Sequence, residues 1–522
     1  MLLLRHRDEL SFSPLPGTEG ASAPFFSPDG SRIGFYANTA IMAVPLAGGP
    51  VTVIADTLHL PESAFWGSDG YLYRGMLKNG AVVIARGRPD VGAPLVPFTT
   101  VDTSTGELTH LLAEPLPDAA SVLFSVSYRD GRRMIAVADA ATGRHMVLFA
   151  GARARYAAGH LLYTTNDGKL WAVPYDTKRR ATSGTAVQVG DRIPNTQVGP
   201  VDFAVSASGT LVYSVDDAGA RRELTWVTRA GKLEPVDQTW KGDFATPTLS
   251  PDGSRIAVTI RAGGQSDIWT TSVAGGVPTK LTVQHRNNVE PAWSADGRWV
   301  SYLASTGAPT TGDVWRQPAD GSGRAERVLQ SRRPLSEHTW VPGTNTVLVR
   351  TTTPTPGAGD ILMLRMGIDS VPSPLVASPH AEYSPAVSPD GKWLAYVSDE
   401  TGRYEVYVTS MAAPGEAKWA VSTSGGLTPR WSHRGDELFY LDLRANMIAT
   451  HVATIPSFAV QSTRVLFNAS DFIQTAVSRR NFDVARDDQR FLMVQRADGA
   501  KRGQVVVVEH WADEMARKGK RP

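Results

Sequence analysis

Short, almost continuous apolar runs recur along the chain, each introduced by the same kind of polar turn. The clearest copies are Phe26-Ser27-Pro28-Asp29-Gly30, Leu249-Ser250-Pro251-Asp252-Gly253, Trp293-Ser294-Ala295-Asp296-Gly297 and Val387-Ser388-Pro389-Asp390-Gly391. Proline presets φ at the second turn position, Asp suits the third, and Gly takes the last without a Cβ clash, so each copy closes a tight hairpin. The run that follows, such as Trp393-Leu-Ala-Tyr-Val397, is apolar rather than alternating. A strand covered on both faces has that pattern. A third element repeats downstream: an acid, a branched aliphatic and often an aromatic, as in Asp267-Ile268-Trp269, Asp313-Val314-Trp315 and Glu405-Val406-Tyr407. A Gly-rich turn and one more short strand complete the unit.

Weaker copies at Asp69, Asp118, Gly159, Gly209, Gly343, Gly435 and Asp488 bring the total to eleven units, spaced about 46 residues apart. Three or four short strands per unit, with turns between, is the blade pattern of a β-propeller. Eleven blades exceed the roughly four to eight of a single ring. The predicted fold is therefore all-β, two tandem β-propellers of about six four-stranded blades each, over residues 1–220 and 221–522. The last six units fill the second ring and the first five the first. Leu2–Arg5 and Ser13–Pro16 predict the outer strands of a further blade, the first and incomplete at the N-terminus. Met1 then reads as the middle of a repeat: either the chain is truncated upstream, or the missing strands come from elsewhere in it. Helical periodicity is confined to Trp511–Lys518, a predicted short C-terminal helix in the second unit.

Composition narrows the function. Apolar residues make up 42% and charged residues 20% of 522, and the net charge is +2. That gives no bulk electrostatic case for nucleic acid or an anionic membrane. The absence of cysteine excludes disulfides, thiolate metal sites and cysteine nucleophiles. No apolar window is long enough for a signal-peptide core or a membrane span, so the expectation is a chain without a membrane segment.

The repeat resembles the PD40, or WD40-like, unit of TolB-type propellers. Longer segments carry a more specific likeness: Leu15-Pro16-Gly17-Thr18-Glu19-Gly20-Ala21 leading into the first turn; Trp393 through Val408; Lys418 through Gly426 with Pro429-Arg430-Trp431-Ser432; and Phe482-Asp-Val with Val505-Val-Val-Val-Glu-His-Trp511. Together they are similar to the C-terminal propeller region of bacterial eukaryotic-like serine/threonine protein kinases. The resemblance implies a sensory or protein-binding role, outside the cytoplasm if the chain belongs to a membrane-anchored kinase-type protein, and in the cytoplasm if it stands alone. The kinase motifs themselves are missing: there is no Gly-rich phosphate loop, no Val-Ala-Ile-Lys strand and no Asp-Phe-Gly. His6-Arg7-Asp8 echoes the catalytic loop, but Ser13 stands where that loop needs a magnesium-binding Asn, so the segment is read as a strand.

Other chemistry has little support. No Gly-x-Ser-x-Gly pentapeptide occurs, and the acids of the Asp-Gly turns are explained by the turns. The eleven histidines show no metal-ligand spacing, and His110 and His433 are read as local hydrogen-bonding residues, so no cofactor and no metal are expected. The expected function is a non-catalytic binding or sensor module for a protein, peptide or small ligand. A free-standing periplasmic TolB-like scaffold is the alternative, and a propeller hydrolase or lyase has the least support. Candidate partner-binding residues are Asp399, Glu400, Arg403 and Tyr404, in a loop between the second and third strands of a blade, and Arg430. The competing reading of the loop is a hairpin in which Asp399 and Glu400 satisfy local backbone N–H groups and Tyr404 packs.

Overall fold

The structure is a computed structural model. It describes residues 1–6, 9, 11–18, 21–37, 40–56, 64–78, 81–90, 93–128, 132–191, 193, 203–206, 209–215, 222–262, 265–285, 287–305, 312–331, 333–351, 359–401, 403–472, 480–496 and 504–512. Its regular elements are strands, and they fall into two compact units, residues 1–219 with 501–522, and residues 220–500.

The repeated turn forms as its chemistry dictates. In four copies the serine hydroxyl donates to the aspartate two residues on, Ser27 to Asp29, Ser250 to Asp252, Ser294 to Asp296 and Ser388 to Asp390, at 2.5–2.6 Å. The same hydroxyl accepts the N–H five residues on, at 2.9–3.0 Å, pinning the start of the next strand. The aspartate takes the N–H two residues beyond itself. Gly30, Gly253, Gly297 and Gly391 sit at φ between 67° and 73°, where a side chain would be strained. These hydrogen bonds hold the Asp29 and Asp252 carboxyls down at about 2.

Among its described residues the second unit contains six four-stranded antiparallel blades, the first two joined into one eight-stranded sheet by a parallel bridge between Ser266 and Asn287. Five are consecutive in sequence, from Asp243–Leu249 to Ala459–Asn468. The sixth is composite: Phe482–Val484 and Arg490–Arg496 continue into Arg222–Thr228 and Leu233–Pro235, so the unit's first strands complete its last blade. Six apolar clusters lie between successive blades, and one of them, with Trp226 and Leu492 against Phe244 and Val258, joins the last blade to the first. The second strands are apolar throughout because both faces are covered: Ile256, Ala257 and Val258 are fully buried. This is a closed six-bladed propeller.

Among the described residues the first unit holds five blades. Four are successive along the chain between Ser22–Phe26 and Val187–Gly190. The fifth comprises Phe203–Val205, Leu211–Val215 and, from the far end of the chain, Gln504–Val508. The segment 504–512 therefore lies with the first unit, and not with the second as the sequence predicts. The open edge of Leu211–Val215 supplies the reason, since Val505–Val508 satisfies its backbone groups and Trp511 fills the core beneath. Leu3–Leu4 and Ser13–Pro14 form a two-stranded hairpin packed through Leu2 and Leu15 on the first blade. That is the incomplete blade of the sequence reading. Arg7 and Asp8 of the kinase-like echo, and the expected helix from residue 513 onward, fall outside the described residues.

Candidate functional site: the inner strands of the second unit

Aligned on their turns, the six innermost strands place polar residues at one level. Four residues before each turn stand Thr246, Glu290, Glu337, Ser384, Thr428 and Asn481, all buried. Two residues nearer the turn stand Thr248, Ala292, Thr339, Ala386, Arg430 and Asp483. The first level coincides with a β-bulge: register shifts separate Ala245 from Thr248, Val289 from Ala292, Tyr383 from Ala386 and Leu427 from Arg430. Thr246, Glu290, Ser384 and Thr428 take up the bulge at φ of 50–56°, unusual for residues other than glycine. A bulge re-aims the side chains of a strand, and here it does so at the same place in blade after blade.

These residues interact across blades. Asp483 accepts hydrogen bonds from the Leu249 N–H at 2.8 Å and the Thr248 hydroxyl at 3.1 Å, tying the last blade to the first. Arg480 Nη1 donates to the same hydroxyl at 2.5 Å. Glu337 Oε2 accepts the Ser384 N–H at 2.7 Å, while its Oε1 has no hydrogen-bond partner. Burial pushes the Glu337 carboxyl up to about 8, against the pull of Arg350 and with a further push from Glu290. Glu337 is therefore largely protonated at neutral pH. Arg430, partly exposed, donates through Nη1 to its neighbour's carbonyl at Pro429, and its Nε has no partner. Desolvation and the adjacent Arg480 lower its guanidinium to about 10, with Asp483 and Glu337 opposing. The two guanidiniums repel each other, and Asp483, Glu337 and Glu290 offset that repulsion.

Arg350 lines the adjoining part of the unit. Its Nε donates to the Glu382 carbonyl at 2.5 Å and its guanidinium stacks over Tyr383 at 4.0 Å. Burial raises the Glu382 carboxyl to about 7.

The four loop residues singled out from sequence are mostly engaged with their own surroundings. Asp399 accepts the Ala381 N–H at 3.0 Å, and Glu400 pairs with Lys418. Arg403 binds Glu405 and the Thr423 carbonyl, both at 2.8 Å. Tyr404 packs edge-on against Tyr383 with ring centroids 5.5 Å apart. The loop thus has the character of a satisfied hairpin, and Arg430 alone of the five stands in the inner-strand cluster. Glu290, Glu337, Arg480 and Asp483 were missed. The first, second and fourth were accessible by aligning the repeats on their turns, because they put a charge at levels filled mostly by Ser, Thr or Ala. His433 is a hydrogen-bonding residue as expected, with its Nδ1 3.0 Å from Asp488.

The sheets define a tandem β-propeller. No family model matches the chain. A structure described as TolB from Agrobacterium tumefaciens is similar at 19% identity and a TM-score of 0.41, covering 53% of this chain and 98% of that one. TolB from Acinetobacter baumannii is similar at 15% identity and a TM-score of 0.38, covering 66% and 79%. The tricorn protease is similar at 9% identity and a TM-score of 0.33, covering 94% and 63%. At such values the assignment of the fold rests on the sheets and their closure. No helix among the described residues is long and apolar enough to cross a membrane.

Proposed function

We propose that the chain is a non-catalytic recognition module, and that the inner strands of its second propeller receive an acidic group of a peptide or protein. The observation that carries this reading is Arg430, whose Nε lies buried without a hydrogen-bond partner in the inner-strand cluster and whose guanidinium is lowered by desolvation and by Arg480. A carboxylate placed there gains charge-assisted hydrogen bonds and relieves the repulsion between the arginines. The sequence likeness to the propeller region of bacterial serine/threonine kinases supports a sensing role over phosphoryl transfer, since the motifs for the latter are absent from the sequence.

The test is selection of a random-peptide display library on the purified chain, followed by titration of the enriched peptides. Acidic peptides should be enriched, and Arg430→Ala should weaken them at least about tenfold without changing the circular dichroism. Enrichment of peptides without acids, or unchanged affinity in Arg430→Ala, contradicts the reading.

A further inference from the structure

The first unit brings together three side chains that the propeller fold does not require. Glu107 and His110 lie in the strand Glu107–Pro115, and His145 begins the strand His145–Ala150 of the same sheet. Both imidazoles turn Nε2 toward one carboxylate. His110 Nε2 is 3.1 Å from Glu107 Oε2, and His145 Nε2 is 3.1 Å from Glu107 Oε1. The two imidazole rings are 4.8 Å apart, and Phe124 walls them at 4.9 and 5.5 Å. His110 is 0% exposed, Glu107 4% and His145 14%, so the group meets solvent on the His145 side.

The groups behind these three hold them in place. The Thr99 hydroxyl lies 2.8 Å from His110 Nδ1 and is itself fixed by the Ile84 N–H at 3.0 Å. The Asp102 N–H donates to Glu107 Oε2 at 2.7 Å. A hydroxyl on the far nitrogen of a histidine and a backbone donor on a carboxylate are what orient ligands around a metal.

We propose that Glu107, His110 and His145 bind a divalent transition-metal ion of the zinc class, through two imidazole nitrogens and one carboxylate oxygen. Their donor atoms all lie within 4.8 Å of one another. A tetrahedral ion with bonds of about 2.0–2.2 Å needs its ligand atoms roughly 3.4 Å apart, so small side-chain movements suffice. Two imidazoles select against calcium and magnesium, which prefer all-oxygen sites. Without an ion, the carboxylate accepts the two Nε2–H groups. With one, each neutral imidazole carries its proton on Nδ1 instead, and in His110 that proton faces the Thr99 oxygen, which can accept it. Water completes the coordination from the His145 side. The ion would tie the crossover that precedes Glu107 to the outer strand of the blade.

The test uses the untagged full chain, stripped with chelator, and titrates it with zinc chloride by calorimetry and with cobalt chloride by absorption. The expected result is one zinc per chain and the intense visible bands of tetrahedral cobalt. His145→Ala, at the solvent side, and Glu107→Gln should each weaken zinc more than about tenfold, and Thr99→Val about tenfold, in protein whose circular dichroism is unchanged. Folded wild-type protein that takes up no zinc at about 1 mM overturns the proposal. Equal zinc affinity in wild type, His145→Ala and Glu107→Gln overturns it as well, since the ion would then sit elsewhere.

Discussion

Glu337 shows how the environment decides what a single residue contributes. Its carboxyl is raised to about 8 in the folded chain by burial, so the native state holds a proton that the unfolded state releases near its ordinary value. Its contribution to stability is therefore full at acid pH and declines as pH rises toward about 8. Glu337→Gln should remove that decline, gaining on the wild type by at most about 1.4 kcal/mol per pH unit across the interval. Urea unfolding at several pH values between 5 and 9 measures it, and parallel curves for the two proteins would refute the account. Ser250 is a second case. Its buried hydroxyl both donates to Asp252 and accepts from Arg255, and Ser250→Ala should cost about 1 kcal/mol, read as a lower urea midpoint. The turn was legible in the sequence because its hydrogen bonds run between residues two to five apart. Glu337 shows in the sequence only when the repeats are aligned on their turns, and what it and Arg430 face follows only when six strands from distant parts of the chain stand side by side.

At the level of elements, the sequence pattern located the buried second strands but not every partner. Apolar runs after each turn marked the buried second strands, since burial on both faces leaves no room for alternation. The partner of a strand is set by which edge stands open, and that is why Gln504–Val508 was placed with the wrong unit from sequence. Its pairing with Leu211–Val215, and the burial of Trp511 against Leu162, Leu170 and Leu211, make a definite prediction. Trp511→Ala should destabilise the first unit by about 3–5 kcal/mol. Amide exchange should then quicken in Phe203–Val205 and Leu211–Val215, while Asp243–Leu249 and Phe482–Val484 keep the wild-type rate. Faster exchange in the second unit alone would show that the closing strand belongs there.

On the scale of the whole chain, the second unit is a ring whose closure the sequence count anticipated: six units, and six apolar interfaces between blades. The count succeeded because a recognisable turn recurs at intervals of about 46 residues. It did not reveal the inner levels, where the blades differ from each other and where the proposed recognition site lies. Glu290, Glu337, Arg430 and Asp483 stand at those levels. The most direct test of the account is amide hydrogen exchange of the full chain with and without an acidic peptide selected against it. Protection is predicted in the inner strands Asn287–Trp293, Leu335–Trp340, Glu382–Val387, Leu427–Trp431 and Phe482–Val484. Protection confined to the outer strands, or to the first unit, would contradict it.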